Sequence, residues 1–317
     1  MRNILWLYYG SSVCLGKSLS PASQLKIHSL PNSSITSDTY SPAIIGGNSV
    51  SDLSDPTYKS TVRILGKGVI AAPAPGLEGK TVSWRCSGAY LNLKSVITAA
   101  HCAPESISYT YENNRYVARF ASRKFEVFSM YRAGTKEFTG VKVTNVIRHP
   151  GFADQWYEQR RDVWNPKEDV SDLALFKLEI PLEYQKQPVG GLYNFPESQG
   201  TKLIIAGYGK SNPGSEIDIP ELRKAIVPFN QPLLNLSDFV VGKGNFVKPS
   251  AENSPIGACS GDSGGAVYFP SSDKLLSLVG IISRGPDDAN GGCNSSLTIA
   301  TAVWPFRKWI EDSLKDL

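Results

Sequence analysis

Residues 257–265 read Gly257-Ala258-Cys259-Ser260-Gly261-Asp262-Ser263-Gly264-Gly265. A serine set among glycines lies where backbone can approach a substrate closely and where amide N–H groups can point at a developing oxyanion. Taken alone, a stretch of such small residues is equally well a simple turn. Two further stretches weigh against the turn. Val96-Ile97-Thr98-Ala99-Ala100-His101-Cys102 places a histidine at the end of an apolar strand beside a cysteine, and Ser171-Asp172-Leu173-Ala174-Leu175 places an aspartate at the start of another. A serine hydroxyl is a poor nucleophile until a base takes its proton. The imidazole that does so needs a buried carboxylate to fix its tautomer and stabilise its charged form. All three residue types are present, in the order His101, Asp172, Ser263.

Outward from these stretches, the chain between Ala43 and about residue 303 consists of short apolar or alternating runs separated by Gly, Pro, Asn and Asp. Strands are expected at 60–65, 88–91, 95–98, 141–147, 173–178, 203–207, 224–227, 265–269 and 278–282, a pattern that argues for an all-β sandwich or barrel. One helix is expected at the C-terminus, where Phe306, Trp309, Ile310 and Leu314 recur at helical spacing after Pro305. Cys86 lies close to Cys102 in sequence and Cys259 to Cys293, with Cys14 left over near the N-terminus. This distribution suggests two disulfides and an oxidising compartment; the alternative is a set of free buried thiols.

Composition excludes several classes. The 317 residues are 41% hydrophobic and 20% charged, so a packed core is within reach. A net charge of +4 without a long basic run gives no nucleic-acid footprint. No stretch reaches the roughly 18 apolar residues of a spanning helix, so no integral membrane span is expected. With histidines only at 28, 101 and 149, no CxxC pair and no HExxH, neither a metal site nor a cofactor is expected.

The sequences TAAHC, DLAL and GDSGG resemble those of the chymotrypsin/trypsin family of serine peptidases. Further points of likeness are Ile44-Ile45-Gly46-Gly47, Gly207-Tyr208-Gly209, Val227-Pro228, Gly280-Ile281-Ile282-Ser283 and Phe306-Arg307-Lys308-Trp309-Ile310. The resemblance implies two packed six-stranded antiparallel β-barrels and a C-terminal α-helix, with the site between the barrels. On that basis His101 is general base and then acid, Asp172 its orienter, and Ser263 the nucleophile that forms an acyl-enzyme. Backbone N–H groups of Gly261 and Ser263 form the oxyanion hole. Cys86 bridges to Cys102 and Cys259 to Cys293, Ser283 sits behind Asp172, and the edge from Ser283 to Gly285 pairs with substrate. His149 belongs to a surface turn and His28 to the leader, neither of them catalytic.

The family also implies a zymogen. Cleavage after Ala43 would free the Ile44 amine to pair with Asp262, ordering the oxyanion hole and pocket, since an unpaired buried carboxylate is costly. The organisation expected is a signal segment at 1–20, a leader at 21–43 and a peptidase domain at 44–317. Within that domain barrel 1 covers about 44–180, barrel 2 about 181–303 and the helix about 305–316. Gly257 at the pocket base, Ala258 beside it and Thr298 and Gly285 on its walls make a neutral, partly narrowed pocket for small or medium apolar P1 side chains. The Ala43-Ile44 bond fits such a pocket, so activation is expected to be autocatalytic.

The partners implied are a protein or peptide substrate and a protein inhibitor, acting on a monomer. Localisation is secreted, periplasmic or at the cell surface, the last through lipid on Cys14. The rival reading is a non-catalytic binding or adhesive protein on the same fold. Departures from the family pattern are Ala266 in place of proline, Arg284 in place of a cleft-lining aromatic residue, an enlarged stretch between His149 and Asp172, and an insertion from Gly66 to Trp84. Arg284 is expected to favour acidic groups in the P2 to P4 subsites.

Overall fold

The computed structural model describes residues 5–7, 13–14, 44–129, 140–154, 171–182, 186–194, 198–209, 221–232, 237–242, 256–270, 275–285 and 297–317. The chain starts with β1 (Leu5–Leu7), β2 (Val13–Cys14), β3 (Asn48–Ser49) and the short helix α1 (Pro56–Ser60), which Asp55 caps by accepting from the Thr57 N–H at 2.8 Å. The first barrel follows: β4 (Thr61–Ile70), β5 (Thr81–Asn92), β6 (Ser95–Thr98), the hairpin strand β7 (Ser106–Tyr111), β8 (Asn114–Phe128), β9 (Val141–Arg148) and β10 (Ala174–Leu178). Six of these strands form a closed antiparallel ring in the order β5-β4-β8-β9-β10-β6, completed by the β5–β6 pairing. After β11 (Gly191–Leu192) come β12 (Lys202–Gly207), β13 (Arg223–Pro232), β14 (Asp238–Gly242), β15 (Ala266–Pro270), β16 (Leu276–Arg284) and β17 (Leu297–Ala302). These close a second six-stranded ring in the order β12-β13-β14-β17-β16-β15, with β15 returning to β12. The fold is two antiparallel β-barrels, as the resemblance implied.

Each barrel is filled from its own strands. The first packs Trp84, Phe125 and Phe176, with the Phe125 ring 5.8 Å from Trp84 and 5.0 Å from Phe176. The second packs Leu203, Ile205, Val227, Phe229, Phe239, Val267 and Val279. Aromatic burial of this kind dominates core energetics, and the first cluster continues through Ala206, Tyr208, Ala266 and Tyr268 into the face where the barrels meet.

The segment from Gly66 to Trp84, read from the sequence as an insertion, is built as paired strand at both its ends. β4 continues to Ile70, β5 begins at Thr81, and the two pair in register from Thr61↔Ala89 to Val69↔Thr81. Its glycines are there to receive rings: a Cβ on Gly66 would lie 2.2 Å from the Trp84 indole, and one on Gly68 2.4 Å from the Phe120 ring. The stretch at 155–170 expected to form an enlarged loop lies outside the described residues.

Two straps join the barrels. The strand β3 pairs with β13, so the segment that begins at Ile44 lies on the second barrel. At the other end, a 3-10 turn (Trp304–Phe306) leads into helix α2 (Arg307–Asp316), which returns to the first barrel. There the His149 ring packs 4.8 Å from Phe306 and 4.9 Å from Trp309, giving that histidine a packing role. Between the straps, the buried Tyr268 hydroxyl on β15 donates to Ser60 O at 3.0 Å and meets Thr61 Oγ1 at 3.0 Å. Tyr268→Phe removes both links and leaves their partners unsatisfied. Urea unfolding should show a loss of about 1–2 kcal/mol; unchanged stability would mean that this contact does not hold the barrels together.

Candidate active site

His101 lies on a 3-10 turn (Ala100–Cys102) at the end of β6. Several groups hold the main chain that follows it. Trp84 Nε1 donates to Cys102 O at 2.8 Å, while Arg123 Nη1 donates to Ala103 O at 3.0 Å and Pro104 O at 2.9 Å. Arg148 Nη1 reaches Ala103 O at 3.4 Å and Asp154 Oδ2 at 3.1 Å. The Cys86–Cys102 disulfide ties the turn to β5.

Asp172 is fully buried at the entry to β10. Its Oδ2 is 2.7 Å from His101 Nδ1 and accepts from Ser283 Oγ at 2.7 Å, and its Oδ1 accepts from the His101 N–H at 2.9 Å. Burial pushes its carboxyl up, but the His101 charge and the hydrogen bonds from His101 and Ser283 together outweigh burial and hold it below the ordinary carboxylate value. The preceding residue, Ser171, has φ +44, a left-handed conformation that costs a non-glycine residue energy.

Ser263 is brought to this pair by its backbone. Its carbonyl accepts from the Ser87 N–H at 2.8 Å and lies 3.5 Å from Cys102 Sγ, next to His101. The next residue is glycine because nothing else fits. Gly264 has φ +78, and a Cβ there would stand 2.0 Å from Thr98 Oγ1 and 2.4 Å from Ser87 O. Ser87 also donates through Oγ to Gly261 O at 2.9 Å and accepts from the Tyr208 N–H at 2.8 Å. The Gly261 N–H has no acceptor among the described residues.

Asp262 precedes Ser263 and has partners of its own. It is fully buried and accepts from Ile44 N at 3.1 Å, Cys259 N at 2.9 Å and Gly209 N at 2.8 Å. A Cβ on Gly207 would lie 2.3 Å from this carboxylate and one on Gly209 2.6 Å, which explains the glycines of Gly207-Tyr208-Gly209. Ile44 is itself buried, and Ile45 forms a two-way backbone bridge with Gly257 at 2.9 and 3.2 Å.

Of the positions expected to line a pocket, Thr298 is buried and its Oγ1 accepts from the Ala258 N–H at 2.9 Å. Gly285 is open, the nearest atom to an added Cβ being Leu297 O at 4.0 Å. Cys259 is disulfide-bonded; Cys293 lies outside the described residues. Arg284 departs from the expectation of a cation free to meet acidic substrate groups. Its Nη2 pairs with Asp238 Oδ2 at 3.0 Å and its side chain is only 14% exposed. Sequence reasoning missed Ser87, Asp238 and the arginines behind Ala103, none of which sits in a recognisable motif.

Fold and site together define a chymotrypsin-like double barrel with serine, histidine and aspartate gathered where the barrels meet. The family profile Trypsin matches residues 75–310, and the chain belongs to the trypsin family of serine proteases. It is 25% identical over 240 residues to Transmembrane protease serine 5 of Homo sapiens, covering 73% of this chain and 46% of that protein. It is 24% identical over 248 residues to Chymotrypsin-C of Mus musculus, covering 74% of this chain and 80% of that one. A third relative is Inactive serine protease PAMR1 of Bos taurus, 26% identical over 260 residues, covering 73% of this chain and 32% of that protein. The chain thus spans less than half the length of the human and bovine relatives.

While Ala43 remains joined to Ile44, the donor at Asp262 is a neutral amide. Burial pushes the Asp262 carboxyl from 3.8 up to about 6, against the hydrogen bonds from Cys259, Gly209 and Ile44. The folded chain therefore keeps a proton that the unfolded chain releases, and stability falls as pH rises through that window, by on the order of 3 kcal/mol. Urea unfolding of uncut Ser263→Ala between pH 4 and 7 should show this fall, and adding Asp262→Asn should flatten it. Parallel profiles would contradict the assignment.

Proposed function

We propose that this chain is an exported serine endopeptidase. In this mechanism Ser263 Oγ attacks the scissile carbonyl carbon as its proton passes to His101, and the oxyanion is held by the N–H groups of Gly261 and Ser263. His101 then protonates the leaving amine as the peptide C–N bond breaks, giving an acyl-enzyme. A water attacks the ester, again losing its proton to His101, and the acid is released as the serine regains its proton. Asp172 keeps the imidazole oriented and stabilises its charged form throughout.

The observation that carries this reading is the bond of 2.7 Å between His101 Nδ1 and a buried Asp172 carboxylate, beside a Ser263 whose carbonyl is pinned to Ser87. The family makes protein the natural substrate class. The rival reading, a binding protein without catalysis, draws on the relative named inactive. This chain retains serine, histidine and aspartate at their motif positions, which favours the enzyme.

Activation by cleavage after Ala43 has a physical rationale in the backbone. Ile44 has φ +41, which strains a β-branched residue by on the order of 1–3 kcal/mol. Cutting the bond before it removes that torsion and turns the amide at Asp262 into an ammonium, replacing a dipole with a full countercharge. The lining residues Gly257, Ala258, Thr298 and Gly285 carry no charge, which supports a small or medium apolar P1 residue and, with alanine at position 43, autocatalytic processing. Export fits the two cysteines bridged at the histidine turn and the disulfide at Cys259.

The chain beginning at Ile44 should react with a fluorophosphonate at Ser263, show at least about a thousandfold loss of peptide hydrolysis on His101→Ala, and prefer small or medium apolar P1 residues in a peptide library. Uncut Ser263→Ala should keep its Ala43-Ile44 bond in a host without other activators. Absence of labelling overturns the enzyme reading. A Lys or Arg preference overturns the pocket assignment, and processing of Ser263→Ala overturns autoactivation.

A further inference from the structure

Behind Asp172 lies a polar chain that no motif announces. Ser283 Oγ, 2.7 Å from Asp172 Oδ2, receives Arg284 Nη1 at 3.2 Å. The other arm of that guanidinium, Nη2, meets Asp238 Oδ2 at 3.0 Å, and Asp238 Oδ1 accepts from Thr301 Oγ1 at 2.8 Å. Asp238 and Thr301 are fully buried and face each other in the β14–β17 pairing. Arg284 follows an irregularity in the β16–β17 ladder between Ile282 and Arg284, a feature that re-aims side chains.

The donor inventory makes this chain directional. A serine hydroxyl has one proton and two lone pairs, and a guanidinium only donates. Arg284 therefore fills a lone pair of Ser283 Oγ, and the single Ser283 proton is committed to the Asp172 carboxylate. A donor behind the hydroxyl polarises it and strengthens its own outgoing bond. The planar fork suits this task because it reaches two acceptors at once from a rigid frame.

We propose that Arg284 and Asp238 are a positioning pair: through Ser283 they fix the Asp172 carboxylate against His101, with Asp238 holding the guanidinium in place and balancing its charge. Arg284, which the resemblance made a departure from a cleft-lining aromatic residue, is here half of a buried ion pair anchored on β14 and β17. The inference rests on the peptidase reading for its kinetic consequence but not for its geometry.

Among the described residues, the charged and titratable groups around this cluster are His101 and Asp172 from the first barrel and Arg284 and Asp238 from the second. Asp262, beside Ser263, is turned toward Ile44, Cys259 and Gly209. Removing the cation should favour the imidazolium form of His101, and removing the Asp238 charge should disfavour it.

The test is an NMR titration of imidazole nuclei combined with kcat and KM on the chain beginning at Ile44, in which His101 and His149 are the two histidines. Arg284→Met should raise the His101 pKa and Asp238→Asn should lower it, each by about 0.3–1 unit. Arg284→Lys keeps the charge but cannot bridge two acceptors. It should leave the titration within about 0.2 unit while kcat falls about fivefold, with KM within about twofold. If Arg284→Met does not fold, the Asp238→Asn and Arg284→Lys variants carry the test. Shifts absent or in the same direction for the two charge-removing variants, or unchanged kcat in Arg284→Lys with an active wild type, overturn the proposal. A wild type that hydrolyses nothing while its variants shift His101 in opposite directions overturns the peptidase reading and leaves the positioning pair standing.

Discussion

Ser87 joins the two barrels at one point through its N–H and its hydroxyl, while its carbonyl binds within the first barrel. Its N–H donates to Ser263 O, its Oγ donates to Gly261 O and accepts from the Tyr208 N–H, and its carbonyl accepts from Thr98 Oγ1 at 2.7 Å. This is possible because β5 outruns β6: the β5–β6 pairing starts at Ala89, so at Ser87 the edge of β5 is open to another chain segment. The serine loop of the second barrel occupies that edge. Ser263 and His101, the proposed nucleophile and base, come from different barrels, and an error of about an ångström between them would cost reactivity heavily. A network of buried, mutually satisfied bonds is what makes such a junction rigid.

Around the junction the protein buries three carboxylates and compensates each differently. Asp172 is answered by the imidazole, a hydroxyl and the His101 N–H, Asp238 by a guanidinium and a hydroxyl, and Asp262 by hydrogen bonds from backbone N–H groups with the Arg223 charge a weaker influence. The first two are held through side chains that reach from strand to strand. The third depends on Ile44, the residue whose preceding bond is the proposed cleavage point. In the proposed zymogen this carboxylate would stay short of a countercharge until the chain is cut, which would place the control of activity at Asp262 and not at the Asp172–His101 pair. The ammonium created there would complete the second barrel's loop without disturbing the Asp172–His101 bond.

The double barrel and the principal site residues were legible because they travel in contiguous motifs: His101 ends a short apolar strand, Asp172 starts one, and Ser263 sits among glycines whose absence of Cβ is enforced by Thr98, Ser87 and Asp262. What was not legible depends on distant partners. Arg284 read as a free cation because Asp238 is 46 positions away in sequence, and an aspartate opening a strand looks like an ordinary turn residue. That Gly66 and Gly68 belong to a strand was not legible, because the rings that cover them, Trp84 and Phe120, come from other strands. The hairpin of β7 and β8 was missed for a different reason. β8 is largely exposed and rich in Arg and Lys, so it lacks the alternation that marks a half-buried strand, and its turn places Glu112 and Asn113 at φ +48 and +64 with only Asn113 as a cue.

The dependence of the site on the junction can be read from the rate at which a fluorophosphonate labels Ser263 in Ser87→Ala, prepared from Ile44 alongside the wild type. Loss of the two bonds made by Ser87 Oγ should loosen the serine loop and slow labelling by about tenfold or more, while far-UV circular dichroism stays unchanged. Labelling of the variant at the wild-type rate, with the wild type reactive, would contradict the claim that this one residue holds nucleophile and base together.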